Sequence, residues 1–322
     1  MPNSETLVEI WRGDYLECQH RGHAVVVNER GEVLDAWGNP DEIILPRSSL
    51  KPLQALPLIQ SGAAKAFGLT SSQLALACAS HQGAGIHTRP VQDWLKALGQ
   101  TDADLRCGPQ WPADRPSANG LVKTDDTPCQ YHNNCSGKHC GFLTLSAHLG
   151  AGPEYVNPEH PVQVQAKAAI EEICEERIDG FAIDGCSAPN FALSLKGLAH
   201  GMAKIANHEL TDAMMTHPEL VAGTGRACTE LMQSAPGEFA VKTGAEGVFI
   251  AILPKQKIGV ALKIEDGATR ASEAAMAALL VRLGAADADH AMVQKRLNPR
   301  QLNRAKLDTG EIKVAENLLS KS

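Results

Sequence analysis

The sequence predicts an α+β fold in which an antiparallel sheet is built from both chain ends and a mostly helical subdomain sits between them. Two observations carry this expectation. β-Branched runs appear near the start, in AVVVNERGEVLDAWG (24–38), and return late, in EFAVKTG (238–244), GVFIAILP (247–254) and IGVALKIE (258–265). Between them the spacing of apolar residues becomes helical. The chain has 322 residues, is 43% hydrophobic and 21% charged, and contains no repeat or low-complexity linker, so it has material for a substantial core without disulfide or metal staples. We place the sheet subdomain at residues 1–47 and 195–322 and the helical subdomain at 48–194, with a site at their junction.

In chain order, Asn28-Glu29-Arg30-Gly31 divides the first two β-branched runs as a hairpin turn does. Helical signals begin at Ser48 in SSLKPLQALPLI. Thr70 and Gln73 form a capping box before SQLALACAS, and RPVQDWLKALG ends on a glycine stop. Residues 107–128 show no periodicity and read as a long irregular segment, a lid or wall over a site. PVQVQAKAAIEEICEER, FALSLKGLAHGMAKIAN and PELVAGTGRACTELMQ then have helical spacing, with Pro218 suited to a first turn. After the three late strands comes a long helix over 268–283.

Composition excludes several classes. The net charge is −7, and no run of Lys or Arg could track a phosphate backbone, so nucleic acid is not an expected partner. No apolar stretch approaches membrane-spanning length, and residues 1–11 lack a signal-peptide pattern, so a cytosolic setting without membrane partners is expected. Nine scattered cysteines, an odd number, are expected as free thiols.

Four constellations could carry chemistry. Ser48-Ser49-Leu50-Lys51 sits where a loop becomes a helix, so a serine hydroxyl and an amine three residues on share a face beside helix N–H groups. For an isolated S-x-x-K, which is a very common pattern, an ordinary N-cap serine followed by a solvated lysine is the default reading. Lys242-Thr243-Gly244 ends a strand, where a lysine supplies positive charge, a glycine lets substrate approach the backbone, and the next N–H, on Ala245, can meet an oxyanion. A strand end entering a turn is the plain alternative. His132 to Cys140, HNNCSGKHC, packs polar and ionisable residues around a glycine. It could be the middle element of an acyl-transfer site, or half of a metal site drawing on Cys135, His139 or Cys140 with distant Cys186, or simply buried free cysteines in a tight loop. Ser80-His81-Gln82-Gly83 closes an apolar helix and could supply a second hydroxyl or a polar cap.

Together, SSLKPLQALPL, LACASHQG, HNNCSGKHCGF, DGCSAPNFALSL, KTGAEG and ALKIEDG resemble the asparaginase II family, the rhizobial type of L-asparaginase. That family is similar in fold to serine β-lactamases and glutaminases. The resemblance implies hydrolysis of L-asparagine to L-aspartate and ammonia through a serine nucleophile within two Ser-Lys pairs, Ser48 with Lys51 and Ser80 with Lys242. It also implies zinc held by Cys135, Lys138 and Cys186, with Arg47, His139, Asp184, Ala245 and Glu246 contacting substrate. A homodimer is the default assembly. A glutaminase or penicillin-recognising enzyme would use the same Ser48, Lys51 and Lys242, and a non-catalytic zinc or thiol sensor would use the cysteines alone.

Overall fold

The computed structural model describes residues 4–319. By internal packing the chain forms two compact units. A sheet unit comprises residues 1–49, 193–207 and 230–322, and a helical unit comprises 50–192 and 208–229. The α+β class is therefore as expected, but residues 208–229 fall in the helical unit. The helix Glu209–Thr216 packs on the helix Ser71–Ala77, and the Val221 carbonyl accepts the backbone N–H of Ser80 at 2.9 Å.

Twelve strands are described: β1 Glu5–Arg12, β2 Tyr15–Asn28, β3 Val33–Trp37, β4 Ile43–Ile44, β5 Phe181–Ile183, β6 Pro189–Phe191, β7 Leu193–Ser194, β8 Ala240–Thr243, β9 Val248–Leu253, β10 Ile258–Ile264, β11 Arg300–Leu302 and β12 Asp308–Val314. The main sheet is antiparallel and eight-stranded, in the order β11-β12-β1-β2-β10-β9-β8, with β3 also on β2. β4 pairs with β7 in the sheet unit, and β5 with β6 in the helical unit. Every residue of β9 is buried, so both faces of that strand are covered. The helix Leu195–Lys204 packs on β2, β9 and β10, and the helix Thr269–Arg282 on β1, β9, β10 and β12. Burying Phe249, Ile250, Ile252 and Leu253 contributes roughly 1.5–3 kcal/mol each.

The chain does not finish with the long helix Thr269–Arg282. β11 and β12 follow, and β12 pairs with β1 through Val8–Val314 and Ile10–Ile312. The segment expected to be irregular contains the helix Arg115–Lys123, begun by Asp114, whose carboxylate accepts the Ser117 N–H at 2.9 Å, and by Pro116 in its first turn. None of its residues is buried. The stretch expected as one helix from Pro218 is two, Pro218–Val221 and Ala227–Ser234, broken at Gly223 with φ +120°.

The helical unit is organised around the helix Ser136–His148, whose residues 136–146 are all buried. It packs against the helices Leu56–Gln60, Ala63–Ala66, Ser71–Ala77, Gly85–Ala97 and Pro161–Cys174. Gly137 makes this close approach feasible, because a Cβ there would lie 2.3 Å from the Leu76 carbonyl oxygen. The HNNCSGKHC motif thus enters a helix buried at all but its last two residues, which is why Lys138 and His139 are desolvated. No described helix is long and apolar enough to cross a membrane.

Candidate active site

The candidate residues divide between the two units. In the helical unit, Lys51 opens the helix Lys51–Gln54 with a side chain 1% exposed. Its Nζ donates to Ser80 Oγ at 2.9 Å, to the Ala79 carbonyl, and to the Asn134 carbonyl at 3.5 Å. Ser80 therefore has a lysine partner within its own unit. It stands in the loop after the helix Ser71–Ala77, which starts with the expected capping box, the Thr70 side chain accepting the Gln73 N–H at 3.3 Å. The neighbouring His81 ties this loop to the cysteine motif. Its backbone N–H donates to the Asn134 carbonyl at 3.2 Å, its Nδ1 accepts from the Gly83 N–H, and its Nε2 lies 2.9 Å from Ser136 Oγ. Burial, then His87 and Lys51, drive the His81 pKa well below the ordinary value, so the ring is neutral.

The cysteine motif turns tightly before its helix. Asn133 donates to the Cys107 carbonyl at 2.9 Å and accepts the Cys135 N–H at 2.8 Å. This aims Cys135 and Lys138 towards Cys186, which lies in the turn joining β5 to β6, where Ser187 is held at φ +68°. Lys138 Nζ is 3.1 Å from Cys186 Sγ, with its charge 5.2 Å from the centre of the Phe142 ring. Cys135, Lys138 and Cys186 are all at most 4% exposed. Cys135 Sγ donates to the Asn134 side-chain oxygen at 2.9 Å; the neighbouring Cys186 sulfur, then burial, raise the Cys135 pKa well above the ordinary thiol value, while Cys135, Lys138 and His139 lower that of Cys186 against burial. Burial disfavours the Lys138 charge, but Cys186 and Cys135 outweigh it and raise its pKa. Asp184 is half-buried, and its carboxylate is 3.9 Å from Cys186 Sγ. His139 is fully buried, its Nδ1 2.9 Å from the Tyr155 hydroxyl, and burial presses its pKa to about 4. In place of the expected surface for substrate, it presents a ring enclosed by Tyr155 and Phe142.

In the sheet unit, Ser48 is half-buried in the 3-10 turn Arg47–Leu50, and the adjacent Ser49 is buried and donates to the Pro46 carbonyl at 2.7 Å. β8 ends against this turn. A Cβ on Gly244 would lie 2.5 Å from the Pro46 carbonyl and 3.3 Å from the Ser49 nitrogen, so the K-T-G glycine serves close approach to the serine segment itself. Lys242 is fully buried, and its Nζ donates to the Thr243 carbonyl at 2.7 Å. Ala245 and Glu246 follow, both exposed. Arg47 and Glu246 line one cavity of about 390 Å³ with His23, Glu42, Lys263 and Glu265. Both hold positive φ, +55° and +57°, and their side chains approach to 4.0 Å. Left-handed backbone at non-glycine residues costs of order 1 kcal/mol or more and persists where the surroundings enforce it.

Lys263 was not singled out by the sequence. It stands on β10, half-buried, with its pKa lowered by burial against the pull of Glu246, Asp266 and Glu265. The available signal was a lone lysine near the end of an otherwise apolar strand, IGVALKI. His81 and Tyr155 likewise acquire meaning only from their partners.

The L-asparaginase II family model matches residues 8–314. The chain belongs to this family. Membership spans both units and every candidate residue above, and it supports an amidohydrolase of asparaginase type. No curated protein matches the chain in sequence. Among solved structures, the chain is similar to a β-lactamase from Mycobacterium bovis, at 13% identity over 78% of this chain and 89% of that one, with a TM-score of 0.37. It is also similar to a putative β-lactamase from Bacteroides dorei, at 13% identity over 76% and 84%, with a TM-score of 0.39. An octameric penicillin-binding protein homologue from Pyrococcus abyssi is similar at 12% identity over 84% and 75%, also with a TM-score of 0.39.

Among the described residues no three His, Cys, Asp or Glu side chains gather as a metal site. The set that the family resemblance implies contains a lysine, and its chemistry suits zinc. Two sulfurs and an amine converge in a dry pocket, and Lys138 Nζ and Cys186 Sγ are 3.1 Å apart. Ligands of a tetrahedral zinc, at ordinary Zn–N and Zn–S lengths, stand roughly 3.5 Å apart. The orphaned Nε2 of His139 beside this set is a further polar atom awaiting a partner.

Proposed function

We propose that the protein is an L-asparaginase that hydrolyses L-asparagine to L-aspartate and ammonia, with Ser48 as nucleophile. The observation that carries this reading is the Lys51 Nζ–Ser80 Oγ hydrogen bond of 2.9 Å, a desolvated Ser-Lys pair three residues along the chain from Ser48. In a buried setting an amine can serve as a base for a hydroxyl, which water would otherwise level. In its neutral form Lys51 accepts the Ser48 proton as Ser48 Oγ attacks the side-chain amide carbon. The N–H groups of Ser48 and Ala245 stabilise the oxyanion, a contribution of roughly 3–4 kcal/mol per donor in comparable sites. The proton then passes by way of Ser80 to the departing ammonia, and water opens the acyl-enzyme by the reverse route. Lys242 supplies positive charge along the K-T-G strand.

The sheet-unit cavity fits a small zwitterion. Its volume of about 390 Å³ is at the low end for small-molecule sites, and its walls bear both signs. Arg47 would take the α-carboxylate and Glu246 the α-ammonium. Zinc would be held by Cys135, Lys138 and Cys186, where a bound dication supplies positive field and Lewis acidity and requires Lys138 to give up its proton. Asp184, beside Cys186, would orient the substrate's polar end.

The test is ammonia release from L-asparagine and L-glutamine by wild type and by Ser48→Ala. We expect asparagine turnover that falls at least about a thousandfold in the variant. Full turnover by Ser48→Ala removes it as nucleophile, and inertness towards both amides in the wild type removes the asparaginase reading.

A further inference from the structure

The cavity in the sheet unit has a second charged wall, built from β2 and β10. His23 on β2 and Lys263 on β10 are register partners in the antiparallel pairing, so their side chains rise side by side from one face of the sheet, and both line the cavity. His23 is 2% exposed, and its Nδ1 accepts the Asn39 backbone N–H at 2.9 Å. With Nδ1 accepting, the single hydrogen of the neutral imidazole is on Nε2. That nitrogen stands 3.8 Å from Glu265 Oε1, beyond hydrogen-bond reach, so its hydrogen is not spent on this carboxylate. The Lys263 ammonium has three hydrogens and gives one to the neighbouring Ile264 carbonyl. Glu265 follows the end of β10, where its backbone N–H donates to the Arg21 carbonyl at 2.9 Å, and its partly exposed carboxylate also lines the cavity. This wall therefore sets two donors beside an acceptor, all three anchored at the sheet.

The complement of such a wall is a zwitterion. A carboxylate accepts, an ammonium donates, and the α-carbon of a free amino acid holds the two side by side. A lone carboxylate would meet the charge of Glu265 as well as the donors, and a lone ammonium would meet that of Lys263. We propose that His23 and Lys263 receive the α-carboxylate and Glu265 the α-ammonium of the amino-acid substrate, completing the head-group cradle that Arg47 and Glu246 begin. The inference rests on the asparaginase reading for the identity of the bound molecule, and is independent of which serine attacks. The three residues grip the end of the substrate that does not react, so they determine specificity: they select free α-amino-acid amides over amides that lack either charge, asparagine inside a peptide included. Burial already penalises the Lys263 charge, so an arriving carboxylate is favoured beside it.

The test matches each variant to a trimmed ligand. Binding to the full chain carrying Ser48→Ala, so that no amide is consumed, is followed by chemical-shift titration with L-asparagine, with β-alaninamide, which lacks the α-carboxylate, and with succinamate, which lacks the α-ammonium. Lys263→Met and His23→Leu should each weaken L-asparagine about tenfold and leave β-alaninamide within about threefold. Glu265→Gln should weaken L-asparagine about tenfold and leave succinamate within about threefold. Because His23 is buried, Lys263→Met and Glu265→Gln decide the matter if His23→Leu fails to fold. A variant that weakens all three ligands alike acts through structure, and one that weakens none meets no ligand; either result in Lys263→Met and Glu265→Gln overturns the cradle. The two readings fail separately. Ammonia release from L-asparagine with Ser48 intact, together with variant effects that ignore the ligand's charges, removes the cradle and leaves the asparaginase. The expected ligand pattern in a protein inert towards amides removes the asparaginase and leaves an amino-acid site.

Discussion

The two groups of candidate residues are built on opposite principles. In the helical unit, Lys51, Ser80, Lys138, His139, Cys135 and Cys186 are buried and hold one another by side-chain hydrogen bonds and charge. In the sheet unit, Arg47 and Glu246 face a cavity, partly or largely exposed, and their fixed feature is the backbone, held at positive φ on both. Chemistry that needs altered proton affinities belongs with the first kind of environment, because only desolvation makes neighbouring charges decisive. Recognition of a soluble zwitterion belongs with the second, where a ligand can exchange with water. The difference predicts that damage to the helical cluster appears as lost stability or turnover and damage to the cavity as lost affinity.

The largest effects should come from two glycines that play matching parts. Gly137→Ala drives a Cβ to 2.3 Å from the Leu76 carbonyl in the middle of the helical unit, where little can yield. It should destabilise the protein by about 3 kcal/mol or more, read from urea unfolding, even though alanine is the better helix former. Gly244→Ala places a Cβ 2.5 Å from the Pro46 carbonyl, beside the half-buried Ser48 turn. That turn can shift, so the expected cost is mainly about a hundredfold in kcat/KM, as displacement of a reacting group by an ångström gives. If both substitutions act alike on stability and turnover, the contrast between the units is not real.

A smaller effect isolates the cavity. Glu246→Gln removes one charge from a site where its ion pair with Arg47 spans 4.0 Å and the carboxylate is largely exposed. We expect KM for asparagine to rise about tenfold with kcat within a factor of about three, the pattern of lost uniform binding. A fall in kcat with unchanged KM would move Glu246 into the chemistry.

The same contrast decides what was legible in the sequence. Elements with a buried face announced themselves: β9 and β10, the Thr70–Gln73 capping box and the helix Thr269–Arg282 lie where the apolar pattern put them. β1 was missed despite buried Leu7, Val8 and Ile10, and elements without a buried face were missed as well. β11 has no buried residue and β12 only Ile312 and Val314, so two strands of the main sheet were invisible, as was the fully surface-lying helix Arg115–Lys123. Among candidate residues, the S-x-x-K, S-H-Q-G and HNNCSGKHC motifs marked Lys51, Ser80 and Cys135, while Lys138 as a ligand came only from the family resemblance. Lys263 lay unread inside a strand pattern, and Tyr155 inside a loop, because what distinguishes each is a partner far along the chain. The Ser80 partner shows this most directly. The family resemblance implied Lys242 for Ser80, and within the helical unit itself Lys51 Nζ donates to Ser80 Oγ at 2.9 Å.

The smallest expected effect is also the one that spans each unit as a whole. The histidines with depressed pKa values, His81, His87, His132, His139 and His208, all belong to the helical unit, and burial is the leading cause for each. For a histidine kept neutral by folding, the unfolded chain binds the proton first. Its contribution to stability is complete above the unfolded pKa of about 6.5 and is lost as pH falls below that value towards the folded pKa. Each such group costs at most about 1.4 kcal/mol per pH unit in that window. Native-state hydrogen exchange at about pH 7 and about pH 5 resolves the two units amide by amide. Core amides of the helix Ser136–His148 should lose protection on acidification more than those of β9 and β10. His87→Gln, replacing a ring whose Nε2 meets the Glu219 carbonyl at 2.9 Å and whose Nδ1 is unpaired, should flatten part of that difference. Equal loss in both units would show that buried histidines do not set the acid limit of the fold, and that the helical cluster tolerates protonation that its burial argues against.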